Sequence, residues 1–219
     1  MELSIDAAGR LCVAAPVRTP GHEIDAFVRS KARWIARALR DTHQRERSLR
    51  RSFTTGERLL YLGREVYLRV VETDAGHLAS VRLIADSLEA GVPAGMCEDE
   101  RRATVLEALE GWFMSQAGAT LGERVRALAP LVAVQPGQVR VRKQKSRWGS
   151  CGKDGTLYFN WAIVMAPPPV LDYLVVHELS HLRRRGHGVA FWKVVERALP
   201  DFEARRAQLR RDGWRYRLA

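Results

Sequence analysis

The sequence predicts an α+β fold, and three patterns predict it. From Arg58 to Leu88 apolar residues recur with period two, in "RLLYLGREVYLRVVE" and again in "HLASVRLIADSLEAG", as they do in paired strands. From Val105 to Leu128 they recur at three- and four-residue steps, as on one long helix. A strand-like stretch with a glycine-rich middle then gives way to further helical ones, so strands and helices come in blocks rather than in strict alternation.

Taken in order, the chain opens with alternation: Leu3 and Ile5, then Leu11 and Val13 around "DAAGR", a small hairpin. Pro20 opens a helical stretch in which Ile24, Phe27, Val28, Lys31, Trp34, Ile35 and Leu39 share a face. Arg45, Arg47, Arg50 and Arg51 crowd the polar connector that follows and read as a solvated face. The two period-two stretches are then two hairpins, the first turned at Gly63. Gly91, Pro93 and Gly95 mark a boundary between an N-terminal α/β segment, 1–96, and a C-terminal unit, 97–219.

The second half begins with the long helix, carrying Val105, Leu106, Leu109, Trp112, Phe113, Leu121, Val125 and Leu128 on one stripe and ended by Pro130. "QVRVRKQKSRWGSCGKDGTLYFNWAIV" reads as two strands joined through the segment from Gly149 to Gly155. After "APPP" a helix runs from about Val170 to Arg185, with Gly186 as its glycine cap and Arg183, Arg184 and Arg185 near the negative end of its dipole. Helical pattern resumes in "AFWKVVERAL" and "FEARRAQLRRDGW".

Composition limits the function classes. No run of eighteen apolar residues exists, which argues against a membrane span. The opening residues lack the basic-then-apolar pattern of a secretory signal, and Cys12, Cys97 and Cys151 form no disulfide framework; together these predict a cytoplasmic protein. The net charge of +11 suits an anionic partner, nucleotide or nucleic acid, as well as it suits arginine-rich solvated helices.

"HELSHLRRRGH", residues 177 to 187, gathers three of the six histidines. His177 and His181 lie one helical turn apart, so both imidazoles leave the same face and can converge on one ion. Glu178, about 100° further round, can reach a water at that ion without being a ligand. This is the H-E-x-x-H arrangement of zinc peptidases, with the glutamate as general base. The helix moves about 5.4 Å away with each turn, so a third ligand requires the chain to turn back. Gly186 permits the turn and His187 follows it. Three imidazoles on one Zn²⁺ per chain leave a position open for chemistry; Cys151 is the one soft candidate for a fourth ligand.

The stretch "RWGSC...LYFNWAIVMAPPPVLDYLVVHELSHLRRRGHGVAFWKVVERALPDF" closely resembles the YgjP-like metallopeptidases of bacteria. The likeness extends through "AFVRSKARWI" and "YLGREVYLRV", and "GHGVAF" is similar to the Gly-His-Gly and Phe of the SprT and Spartan proteases. The resemblance implies a zincin-like catalytic unit, a small antiparallel sheet over the active-site helix, with His177, His181 and His187 as ligands and Glu178 as catalytic base. "RRRGH" departs from the commoner acidic or Met-Asn-containing approach to the third histidine, which alters the cleft rim but not the ligation. Arg147, Trp148, Gly149, Ser150 and Cys151 match the family's Arg-Trp-Gly-Ser-Cys signature, whose reading is either substrate positioning or a tight glycine turn locked by a buried tryptophan. Asn160 and Trp161 read as strand-end residues that could line the cleft, and Tyr173, one turn before His177, as an oxyanion donor or a packed ring. Lys143, Lys145 and Arg147 would alternate along one strand face as a cationic rail or a solvated one.

These readings predict a zinc-dependent hydrolase acting on peptide or protein substrates. Two alternatives stand beside it: a nucleotide hydrolase attacking a phosphoanhydride, and a DNA-associated SprT-like protein of latent activity.

Overall fold

A computed structural model of the chain describes residues 1–5, 11–36, 38–39, 51–74, 79–144 and 146–218. It forms two compact units, one within Met1–Arg50 and the other Arg51–Leu218.

In the first unit, β1 (Glu2–Ile5) and β2 (Leu11–Ala14) pair antiparallel with Leu3 opposite Val13, the hairpin expected from their alternation. Helix α1 (Gly21–Ser30) starts after Pro20, whose fixed φ suits a helix entry. It stops at Lys31 instead of running on, and helical geometry resumes over 32–36 and 38–39. Arg45, Arg47 and Arg50 lie outside the described residues. Arg51 belongs to the second unit and is not solvated: it donates to the Arg58 carbonyl at 2.7 Å and pairs with Glu57 at 3.3 Å.

The second unit begins with two hairpins. Strands β3 (Arg58–Tyr61) and β4 (Arg64–Thr73) pair antiparallel, as do β5 (Ser80–Ile84) and β6 (Ser87–Pro93), and β4 and β6 run parallel to join them in the order β3-β4-β6-β5. The β3–β4 turn places Leu62 at φ 49° and Gly63 at φ 77°, conformations that favour glycine at the second site. A Cβ on Gly63 would also stand 2.8 Å from Pro167, because this turn docks through the Leu62 and Gly63 N–H groups on the carbonyls of Val164 and Met165. Gly91 and Pro93 belong to β6, so the division expected at 96/97 falls inside this unit.

Helix α2 (Glu98–Val132) has a capping box, in which the Glu100 carboxylate accepts from the Cys97 N–H at 3.0 Å, with three acidic residues in its first turn. Its buried stripe steps by four residues through Val105, Leu109, Phe113, Ala117, Leu121 and Val125, so one face is embedded along most of its length. Pro130 sits inside the last turn; the helix ends two residues later, where Ala133 turns left-handed at φ 53°.

The third sheet has three strands in the order β7-β9-β8: β7 (Val139–Arg142), β8 (Gly149–Cys151) and β9 (Leu157–Asn160). β8 and β9 form an antiparallel hairpin, whereas β7 runs parallel to β9, so the sheet is mixed. The expected second strand was in fact two, because the glycine-rich segment holds β8 itself. A 3₁₀ helix, Trp161–Met165, follows with every residue buried. Pro168 and Pro169 open α3 (Pro168–Ser180), where a missing N–H costs nothing. Helix α3 is buried nearly all round, as a central element must be. Helices α4 (Val189–Ala198) and α5 (Phe202–Asp212) pack on it. Among the described residues no helix is long and apolar enough to cross a membrane.

Candidate metal centre

Helix α3 ends one residue before His181, which is its C-cap in right-handed geometry. The chain leaves through a tight turn over 181–183 rather than continuing to Arg185. Gly186 therefore caps nothing, and it does not adopt a positive φ. The turn is held by the three arginines instead. Arg183 donates to the Val132 carbonyl at the end of α2 at 3.2 Å, and the Arg184 carbonyl faces His181 Nδ1 at 3.2 Å. Arg185 reaches the β8–β9 turn and donates to the carbonyls of Cys151, Gly152 and Lys153 at 3.4, 3.0 and 3.3 Å. The arginine run is a set of pins between two ligand candidates, not a dipole partner.

The outcome is convergence. His177, His181 and His187 each offer a ring nitrogen, and these atoms lie within 4.8 Å of one another. His187 Nε2 is 3.1 Å from His177 Nε2, with the two rings stacked at 25°. Two ligands on a tetrahedral ion with bonds near 2.05 Å stand about 3.3 Å apart, so the pair already has the spacing of neighbouring ligands. His181 directs Nδ1 at the Arg184 carbonyl, which fixes the tautomer that leaves Nε2 as a lone-pair donor. Among the described residues, His177 Nδ1 is buried without a hydrogen-bond partner. This donor set fits a small divalent cation.

The surroundings favour the neutral rings of His177 and His181. Burial, followed by the neighbouring His181, His187 and Arg206, pushes His177 down to about 3. Burial lowers His181 as well, against the Arg184 carbonyl that opposes it. Neutral rings are the metal-binding form.

Glu178 is 4% exposed and leaves α3 toward β8. A Cβ on Gly149 would fall 2.6 Å from Glu178 Oε1, so the strand passes the carboxylate with room only for hydrogen. Burial raises Glu178 to about 8, and the Arg147 charge opposes that rise. Cys151 is not part of the histidine cluster; its half-buried thiol lies 3.5 Å from the Gly152 carbonyl oxygen, and burial raises its pKa.

The remaining expected residues divide. Arg147 is exposed and acts on Glu178 through its charge, and Ser150 is half-buried on β8 opposite Tyr158. Trp148 packs edge-on against Tyr216 with centroids 6.2 Å apart, and its carbonyl accepts from the Asn160 N–H. The Tyr173 ring is 5.8 Å from that of His177, with its hydroxyl shifted up by burial. Asn160 uses both ends of its side chain within the fold: Nδ2 donates to the Gln144 carbonyl at 2.7 Å, and Oδ1 accepts from the Ala162 N–H at 3.1 Å. Trp161 is buried, facing Phe113. Of the residues expected to form a cationic rail, Lys143 follows the end of β7 at Arg142 and is held by Glu110 of α2 at 2.7 Å. Lys145 lies outside the described residues.

The sequence reading missed the floor of the cluster. Phe191 is buried, with its ring 5.0, 4.6 and 4.9 Å from those of His177, His181 and His187. Trp192 stacks on His187 at 29°, and the Arg206 guanidinium covers Trp192 at 4.4 Å. The signal was the one-turn spacing from His187 to Phe191.

Two crystal structures are similar to part of this chain. The metallopeptidase zymogen of Pyrococcus abyssi abylysin is 24% identical, over 42% of this chain and 92% of that one, with a TM-score of 0.39. The metallopeptidase zymogen of Methanocaldococcus jannaschii jannalysin is 19% identical, over 40% and 94%, with a TM-score of 0.35. No curated protein sequence matches the chain. The YgjP-like metallopeptidase domain, in contrast, matches residues 1–212, nearly the full length, and the chain belongs to the YgjP-like metallopeptidase family.

Proposed function

We propose that this metallopeptidase holds a single Zn²⁺ on His177, His181 and His187 and cleaves peptide bonds of polypeptide substrates with Glu178 as general base. The observation that carries the reading is the convergence of three imidazole nitrogens within 4.8 Å beside a buried carboxylate. When bound, zinc would supply Lewis acidity and acidify a water in the open position.

The protein's own residues account for the rest. Glu178 stands in low dielectric, where its carboxyl would stay protonated at neutral pH; the charge of a bound cation would draw it back to the ionised form that accepts a proton. It then returns that proton to the leaving amine. Gly149 lets β8 lie against this carboxylate, and Arg147 favours its ionised state. Arg147, Trp148 and Ser150 are proposed to meet substrate on the β8 side, and Tyr173 to brace His177. Three cysteines, Cys12, Cys97 and Cys151, an odd number at wide spacing, support a reducing, cytoplasmic setting.

The test is elemental analysis of protein purified without chelator, alongside casein, nucleoside triphosphates and DNA-bound protein as parallel substrates. About one zinc per chain and chelator-sensitive cleavage of casein are expected. Full zinc occupancy after His177→Ala with His187→Ala contradicts the ligand set. Turnover of triphosphates alone contradicts the peptidase.

A further inference from the structure

Beside the metal centre, the loop that links His181 to His187 forms one wall of a cavity of about 230 Å³. Arg183 and Arg184 come from that loop, Lys193 and Arg197 from one face of α4, and Leu131 and Val194 contribute apolar floor. Among the described residues no carboxylate lines it.

Several cations of this unit are matched by carboxylates and others are not. Arg124 pairs with Asp172, Arg205 with Asp201, Arg211 with Asp212, Arg82 with Glu89 and Lys143 with Glu110. Among the described residues, none of the four cations at the cavity has an ion pair. Arg183 and Arg184 donate only to the main-chain carbonyls of Val132 and Arg183. Glu196 and Glu203 line a neighbouring cavity that Lys193 shares with Trp192 and Arg206, but among the described residues neither carboxylate forms an ion pair with Lys193 or Arg197. Four like charges around one hollow repel each other, and an anion seated there relieves that repulsion.

We propose that this cavity is an exosite for an acidic segment of the polypeptide substrate, engaged while another part of the same chain lies at the metal. The proposal rests on the peptidase reading. The mixed lining favours a polypeptide: carboxylates would meet the cations while side-chain carbons cover Leu131 and Val194. A nucleic-acid backbone would call for a longer stripe of charge with little apolar floor. The position also fits, because Arg183 lies two residues after His181 and Lys193 six after His187, so a substrate held here is held next to the catalytic centre.

The experiment reads binding without turnover. The zinc-loaded 219-residue chain is titrated into dye-labelled octaglutamate, an uncharged octapeptide of Gly and Ser, and an oligodeoxynucleotide of matched charge, with anisotropy followed over a salt series. Octaglutamate is expected to bind best of the three, more weakly as salt rises. Lys193→Gln with Arg197→Gln should weaken it by about tenfold or more, with zinc content and melting temperature unchanged. Arg64→Gln with Arg69→Gln removes the same charge from exposed residues of β4, which do not line the cavity, and should leave the affinity as it was. Equal losses in the two double variants, no loss in the first, or tighter binding of the oligonucleotide each overturn the proposal. Chelation and the Glu178→Gln variant test the peptidase reading separately.

Discussion

Gly149 and Glu178 lie so close that only a hydrogen fits between them: a Cβ at 149 would stand 2.6 Å from Glu178 Oε1 and 2.9 Å from its Cγ and Cδ. The φ of Gly149 is not positive, so its backbone would admit any residue, and the carboxylate alone requires glycine. Gly149→Ala should therefore displace Glu178 while leaving the histidines in place. We predict about a hundredfold lower kcat/KM, the scale of an ångström-sized misplacement of a catalytic group. Zinc stoichiometry should not change. Wild-type turnover by this variant contradicts the close approach.

Arg185 ties the loop carrying His187 to the β8–β9 turn through three carbonyls. Arg185→Ala frees that loop and should weaken zinc affinity by roughly tenfold, the lower end for loss of an outer support. Competition with a chromogenic chelator measures it. Unchanged affinity means the loop is held without this side chain.

Asn160 separates a brace from a substrate contact. Removing its two internal hydrogen bonds in Asn160→Ala should cost about 1–2 kcal/mol of stability, comparable to losing a helix cap. Zinc content and KM should stay near wild type. Urea denaturation and steady-state kinetics check both, and a large rise in KM with unchanged stability would return Asn160 to the cleft.

The helix stripe from Val105 to Val125 and the hairpin at Gly63 were legible because burial imposes a period and a turn imposes a φ, both written locally. The His177 and His181 pair was legible for the same reason, since one helical turn fixes their common face. What was not legible depends on partners distant in sequence. Lys143 has the alternation of a strand residue until Glu110 of α2 takes its charge, and β7 stops before it. Gly149 looked like a turn glycine because its reason, Glu178, lies 29 positions on. Gly186 looked like a cap, yet the arginines beside it hold the turn through backbone carbonyls that no sequence pattern marks.

The assignment of Glu178 as the base is tested most directly by kcat/KM of zinc-loaded Glu178→Gln against wild type on the same polypeptide, with metal content measured on both samples. The buried amide keeps the shape of the carboxylate but cannot accept the proton. The expected result is full zinc occupancy with hydrolysis lower by about a hundredfold or more. Full occupancy with undiminished hydrolysis would contradict the account.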